Sequence, residues 1–273
     1  MRKSGWQAAL LAAIVWIVAL LPVAAQSQPA VFGHRGGRKW APENTLASFG
    51  RCVEKGYGIE LDIHKCKSGE LIVCHDENVA RTTDGSGMIK DMTLQELRAL
   101  SAGKWFGPRF AGEKLPLLSE VLALVDGKVP IMIEIKNAPV KYPGIDDDLL
   151  KMLDGYKAKD KIIIISFDHQ ILHRIHEKAP DYKIGFLDAG IPYDIGVYAK
   201  GVGAAAWHPD FEGIRSDNVA EAHKAGVLVN AWTMNKESEW KSGANMGLDG
   251  IVTDDPEGCS DYLKAHAPAT AAK

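Results

Sequence analysis

The feature that most constrains this chain is a recurrence of short β-branched or apolar runs between stretches of helical periodicity. The runs are VFGHR (31–35), YGIELDI (57–63), VPIMIEIK (129–136), KIIIIS (161–166), YKIGFL (182–187), GAAAW (203–207), VLVNAW (227–232) and GIVT (250–253). Eight is the number a closed parallel barrel requires, so the expected class is α/β and the expected fold a (β/α)8 TIM barrel. One further run, LIVCHD (71–76), breaks the alternation, because only KSGE separates it from the second strand. So short a link makes a hairpin and not a parallel crossover. A turn centred between Ser68 and Gly69 would set Asp62 opposite His75. Residues 77–116, rich in glycine and turn signals, read as a small insertion over one end of the barrel, with Thr93-Leu-Gln-Glu96 as a capping box. Thr45 to Lys55, after Pro42-Glu43-Asn44, reads as the first helix, with Leu46, Phe49 and Val53 on one face.

The N-terminus carries Arg2 and Lys3, an uncharged run from Trp6 to Val23, and Val23-Ala24-Ala25 before Gln26. That is the pattern of a secretory signal peptide over residues 1–25, cleaved after Ala25. The rival, an uncleaved anchor, needs roughly 20 apolar residues and a charged flank, which this stretch lacks. Residues 26–273 then form a single barrel domain of ordinary size, about 250 residues. The expected location is outside the cytoplasm, periplasmic or secreted, without lasting membrane anchorage. A formal net charge of −3 with no block of like charge gives no basis for nucleic-acid binding. The tail APATAAK reads as disordered. Four cysteines (Cys52, Cys66, Cys74, Cys259) are too sparse for a disulfide framework, though an oxidising compartment permits a bridge. No Cys/His spacing of a structural zinc site occurs.

Placed on a barrel, the strand ends gather titratable groups on the C-terminal rim, where barrel enzymes keep their chemistry. Glu60 and Asp62 are two apart on a strand and face inward together, as do Glu134 and Lys136, while Ile59, Leu61, Ile63, Ile133 and Ile135 face outward. Three inward acids repel one another unless a cation neutralises them, and oxygen-only ligands favour one hard divalent ion, Ca2+ or Mg2+. The competing reading is a salt-bridge network with Arg35 and Lys136. Arg35, Lys136, a metal and open amides at Gly36 and Gly37 together describe a phosphate site; for the glycines alone, a tight turn is the better reading. His34 and His75 supply the acid and base that splitting a phosphodiester requires. His64 is a third candidate, and the other histidines, His208 among them, read as structural. Glu43 and Asn44 can brace the first strand end, and Trp232 either walls the substrate or packs the barrel.

Seven stretches carry a family resemblance: HRG, five residues and PENT (34–45), ELDIHKCKSGELIVCHDENVARTTDGSG (60–87), AGEKLPLLSEVL (111–122), IEIK (133–136), SFD (166–168), NAWTMN (230–235) and GLDGIVTDDP (247–256). In this order they resemble the glycerophosphodiester phosphodiesterase family over almost the whole mature chain. The resemblance implies a (β/α)8 barrel with a small insertion and hydrolysis of glycerophosphodiesters, such as glycerophosphocholine, to sn-glycerol 3-phosphate and an alcohol. It gives His34 and His75 the acid and base roles, makes Glu60, Asp62 and Glu134 metal ligands, and puts Arg35 and Lys136 on the phosphate. Cys66 and Ser68 stand where the family often has threonine and aspartate, both at the hairpin turn. Two other readings are weighed against it. A lipid-acting relative, of phospholipase C or lysophospholipase D type, calls for an exposed apolar rim; Trp105, Phe106 and Phe110 in the insertion would either provide it or form the insertion's own core. A secreted module that binds phosphodiesters without cleaving them would lack a catalytic histidine, and both are present.

Overall fold

The computed structural model describes residues 28–267; the expected signal peptide (residues 1–25) and all but the first residue of the tail lie outside them. The chain alternates as the apolar runs predict. Strand β1 (Ala30–Gly33) leads through a 3-10 turn (His34–Gly36) to helix α1 (Leu46–Lys55), then β2 (Gly58–Lys65) turns back into β3 (Leu71–Val73). The insertion, with α2 (Leu94–Ala99), precedes α3 (Leu118–Val125). Thereafter come β4 (Ile131–Ile135), α4 (Ile145–Leu153), β5 (Ile162–Ser166), α5 (His169–Lys178), β6 (Lys183–Asp188) and α6 (Ile195–Val202). The last turns of the barrel are β7 (Ala206–Pro209), α7 (Ser216–Lys224), β8 (Leu228–Ala231), α8 (Glu237–Met246), β9 (Gly250–Thr253) and α9 (Pro256–Ala265).

All strands except β3 pair in parallel, in the order β1-β9-β8-β7-β6-β5-β4-β2, and a β1–β2 pairing closes the ring. Alternation along each strand divides the apolar residues in two. Ile59, Leu61, Ile131 and Ile133 face outward and join one continuous core with the apolar stripes of the helices. Phe32, Met132, Ile165, Leu187 and Val252 fill the barrel's interior below the rim. Side chains such as Ile59 and Leu61 are fully buried, and each contributes about 1.5–3 kcal/mol. Helix α1 starts where expected: Thr45 accepts from the Ser48 amide and the Ser48 hydroxyl accepts from the Thr45 amide.

The hairpin register differs from the expected one by a single residue. Ile63 faces Val73, His64 faces Ile72 and Lys65 faces Leu71, and the Cys74 amide donates to the Asp62 carbonyl. Asp62 therefore stands opposite Cys74, not His75. The loop has three residues, Lys67 to Gly69, closed by Gly69 N–H to Cys66 O and Cys66 N–H to Glu70 O, both 3.0 Å. Gly69 sits at φ 105°, the left-handed residue such a loop requires.

The insertion has a core of its own. Val79, Ile89, Leu97 and Leu115 pack against Cys66, Ile72 and Cys74, the face of the hairpin that extends above the rim. Of the two readings of Trp105, Phe106 and Phe110, the insertion's own core is not borne out, because none of the three belongs to that cluster. Trp105 is 44% exposed, and Phe110 packs at the edge of the main core. All four cysteines are buried free thiols, so no disulfide joins them. Burial pushes the thiols of Cys52, Cys74 and Cys259 up to about 12, which leaves them unreactive.

Candidate active site

The rim brings His34, Arg35, Glu60, His75, Glu134 and Lys136 around one cavity, whose other wall is Ile165, Phe167, Leu187, Trp232 and Val252, with His208 below. One half is thus charged and the other apolar.

The charged half begins with β2. Glu60 and Asp62 point inward, and Glu134 joins them because β4 pairs Glu134 with Asp62 in register. One carboxylate oxygen from each lies within 4.8 Å of the others. Burial first, then the charges of Asp62 and Glu134, hold the Glu60 carboxyl well above the usual carboxylate range. Burial likewise raises Glu134, to about 7, against the pull of Lys136. Asp62 goes the other way: against its burial, Lys136 and Arg35 keep it ionised far below the usual range. Lys136 Nζ lies 2.8 Å from Glu134 and 3.1 Å from Asp62. Asp62 Oδ1 nonetheless has no aligned donor, nor does the buried Asn44 Oδ1 beside this cluster. Three buried acids against two cations, with orphaned oxygens, are a donor set that fits a hard divalent ion. Arg35 and Lys136 do pair with these acids, as the salt-bridge reading expected, yet the acids still outnumber the two cations, and Glu60 and Glu134 are held up by burial and repulsion.

Arg35 lies just past β1 in a left-handed conformation (φ 52°), its amide donating to Glu60 at 2.8 Å. Glu43 takes its guanidinium at 2.8 Å, and Asn44 donates to Asp62 Oδ2 at 2.8 Å, so the PEN segment braces both sides of this corner. The glycines serve the turn itself, and the Gly37 amide is not open to a ligand. Gly37 N–H donates to His34 O, and a Cβ on Gly36 would sit 2.3 Å from the Ser48 hydroxyl. They are turn residues at φ 86° and 88° that let the strand end fold back under α1.

Both predicted histidines reach the cavity, each held by an acid. His34 Nδ1 is 2.7 Å from Asp254 Oδ1, and His75 Nδ1 is 2.6 Å from Asp76 Oδ1. A carboxylate on Nδ1 fixes the tautomer that carries the proton there and leaves Nε2 free to accept one. Burial lowers both imidazoles below their ordinary value, opposed at His34 by Asp254 and at His75 by Asp62. His75 arrives by a different route from the expected one, since the chain leaves the ladder after Val73 and turns inward. His64 is removed as a candidate. Its ring nitrogens meet the Tyr142 hydroxyl at 2.9 Å and the His75 carbonyl at 3.0 Å, and burial pulls it down to about 4.

On the apolar side Trp232 packs edge-on to Phe167 with ring centroids 5.7 Å apart, its indole N–H donating to the His208 carbonyl at 2.8 Å.

Residues 34–258 match the model of the glycerophosphoryl diester phosphodiesterase family. The chain belongs to this family. It is 42% identical over 232 residues to a glycerophosphodiester phosphodiesterase of Caldanaerobacter subterraneus, covering 83% of this chain and 94% of the relative. A glycerophosphodiester phosphodiesterase of Bacillus altitudinis is 33% identical, with 83% and 95% covered. Among solved structures, a phosphodiesterase of Oleispira antarctica in complex with the product sn-glycerol-3-phosphate superposes with a TM-score of 0.80 at 27% identity, covering 87% of this chain and 97% of that one. Membership makes the protein a phosphoric diester hydrolase of the glycerophosphodiester class, and the acidic cluster accords with the metal dependence of the family.

Several glycerophosphodiesterase site residues were not legible as such beforehand. Asp254 and Asp76 were hidden in TDDP and CHDE, where the only signals were a strand-end position and adjacency to His75. Phe167 in SFD and the floor residue His208 carried no more than strand parity.

Proposed function

We propose that this site hydrolyses glycerophosphodiesters such as glycerophosphocholine with one Ca2+ or Mg2+ held by Glu60, Asp62 and Glu134. The observation that carries the reading is the pair of histidines, each with Nδ1 on a carboxylate, facing one cavity that also holds the acid cluster and two cations. The ion, when bound, withdraws electron density from the phosphoryl oxygens and neutralises charge that develops on them. Arg35 and Lys136 hold the phosphate, and Phe167 and Trp232 wall the glyceryl carbons. One histidine takes the proton of the glyceryl 2-hydroxyl through Nε2 as that oxygen attacks phosphorus. The other gives a proton to the departing alcohol oxygen, so the P–O bond breaks without releasing an alkoxide. Water then opens the cyclic phosphate, the histidines exchanging roles, and sn-glycerol 3-phosphate leaves.

The signal segment supports an exported enzyme, periplasmic or secreted, that recovers glycerol phosphate from deacylated phospholipids. Among the described residues no helix is long and apolar enough to cross a membrane. Release of sn-glycerol 3-phosphate from glycerophosphocholine tests the reading, with Ca2+, with Mg2+ and with a chelator, beside His34→Ala and His75→Ala. Metal-dependent turnover that falls about 100-fold or more in each variant is expected. Folded protein without turnover under either ion would sink it.

One observation favours a second reading, in which the alcohol carries an acyl chain. Phe167, Ile191, Tyr193, Val197 and Tyr198 are exposed on and after the loops following β5 and β6, at the same rim. Faster turnover of a lysophospholipid than of glycerophosphocholine, with co-sedimentation on vesicles, would establish it.

A further inference from the structure

Arg81 plays no part in the reaction as derived above. It closes a 3-10 turn (Val79–Arg81) of the insertion, beside the fully buried Val79. Its guanidinium is a fork on two carboxylates at once. Nε and Nη2 donate to Asp76 at 2.6 and 3.0 Å, and Nη1 and Nη2 donate to Glu43 at 2.9 and 2.7 Å. Asp76 is the acid that holds the His75 ring, and Glu43 is the acid that holds Arg35. Two groups well separated in the chain, one for proton transfer and one for phosphate, are therefore joined through a single side chain.

We propose that Arg81 is a positioning residue of the reaction, setting the His75 ring through Asp76 and the Arg35 guanidinium through Glu43. The geometry demands an arginine. A planar guanidinium with five N–H groups in fixed directions grips two carboxylates and sets the angle between them, whereas an ammonium is a point charge that fixes neither plane. Asp76 needs such a grip, because it lies past the end of β3 on irregular chain with its side chain 29% exposed. Glu43 is almost fully buried, and Arg81 supplies the bidentate half of its partners while Arg35 and Arg38 take the rest. The satellite core beneath the turn holds the Arg81 backbone in place, which gives the insertion a catalytic duty as well as a covering one. The rival is that Arg81 merely clips the insertion to the barrel.

The inference rests on the phosphodiesterase reading of the site, and the wild-type protein in the same assay tests that reading by itself. The experiment measures kcat and KM for glycerophosphocholine in Arg81→Met and Arg81→Lys, then in each combined with Asp76→Asn and with Glu43→Gln, with melting curves for all. Arg81→Met is expected to lower kcat about 10- to 100-fold and to raise KM, with little recovery in Arg81→Lys. In the Asp76→Asn background the change should no longer lower kcat, and in the Glu43→Gln background it should no longer raise KM. Wild-type kcat and KM in folded Arg81→Met, or effects that multiply fully in both double variants, would overturn the proposal. So would a loss accounted for by the unfolded fraction; Arg81→Lys, which keeps the charge, supplies the measurement if the methionine variant does not fold. Absence of wild-type turnover would overturn the reading beneath it.

Discussion

At the scale of single residues, the histidines divide by what their second nitrogen meets. His34 and His75 each give Nδ1 to a carboxylate and turn Nε2 to the cavity; removing the carboxylate leaves the imidazole free to adopt the other tautomer and to rotate. Asp254→Asn is therefore expected to lower kcat roughly 10- to 100-fold with a smaller change in KM, by steady-state kinetics on glycerophosphocholine. An unchanged kcat would mean that the His34 contact is incidental. His208 is the contrasting case. It is fully buried, its Nδ1 has no partner, and burial pulls it down to about 3. The unfolded chain binds a proton there below about 6.5 while the folded protein does not, so stability is intact above that value and declines as pH falls toward 3. His64, pulled down to about 4, adds to the decline over the same window. The melting temperature should fall steeply between pH 6.5 and 4, and His208→Leu should flatten that limb whatever it does to stability at neutral pH. An identical acid limb in the variant would show that His208 is protonated without cost.

At the scale of elements, the hairpin and its insertion carry the interest. Leu97, fully buried in the satellite core, is the largest apolar contribution of α2. Leu97→Ala should cost about 2–5 kcal/mol of the insertion's stability. Because Arg81 stands on the same small core, kcat should fall with it while the barrel's circular dichroism stays intact; hydrogen exchange confined to the insertion would locate the change. Loss of the whole fold at once would show the insertion and barrel to be one cooperative unit. What the sequence could disclose about these elements follows their physics. Strand runs, helix caps and the inward parity of Glu60, Asp62 and Glu134 are local signals of period two or a few residues, and they were readable. The hairpin register was not, because SG and KSG make equally plausible loops and only Gly69's left-handed conformation decides between two and three residues. Asp254 and Arg81 were out of reach for another reason. His34 is 220 positions from Asp254 and Arg81 is 38 from Glu43, and no local spacing rule spans such separations, even though closure of the ring makes β1 and β9 neighbours.

At the scale of the whole molecule, the barrel crowds three buried carboxyls at the mouth of its own interior. Glu60 and Asp62 on β2 and Glu134 on β4 are locked by the register of a sheet that cannot splay, so the repulsion is relieved only by a proton, by Lys136 and Arg35, or by an added cation. Two consequences of opposite sign follow. With chelator present, Glu60→Gln removes a buried carboxyl that is costly to ionise and should raise the melting temperature. With Ca2+ or Mg2+ present, wild type should be the more stabilised, because an ion that binds only the folded state adds about 2.7 kcal/mol when its concentration is 100 times its dissociation constant. The glutamine variant, short of one ligand, should gain much less. Differential scanning calorimetry of both proteins across a metal titration reads the two effects without any substrate. A crossing of the two melting-temperature curves is the expected result. If the variant stays above wild type at every metal concentration, the three acids are a charge network and not a metal centre.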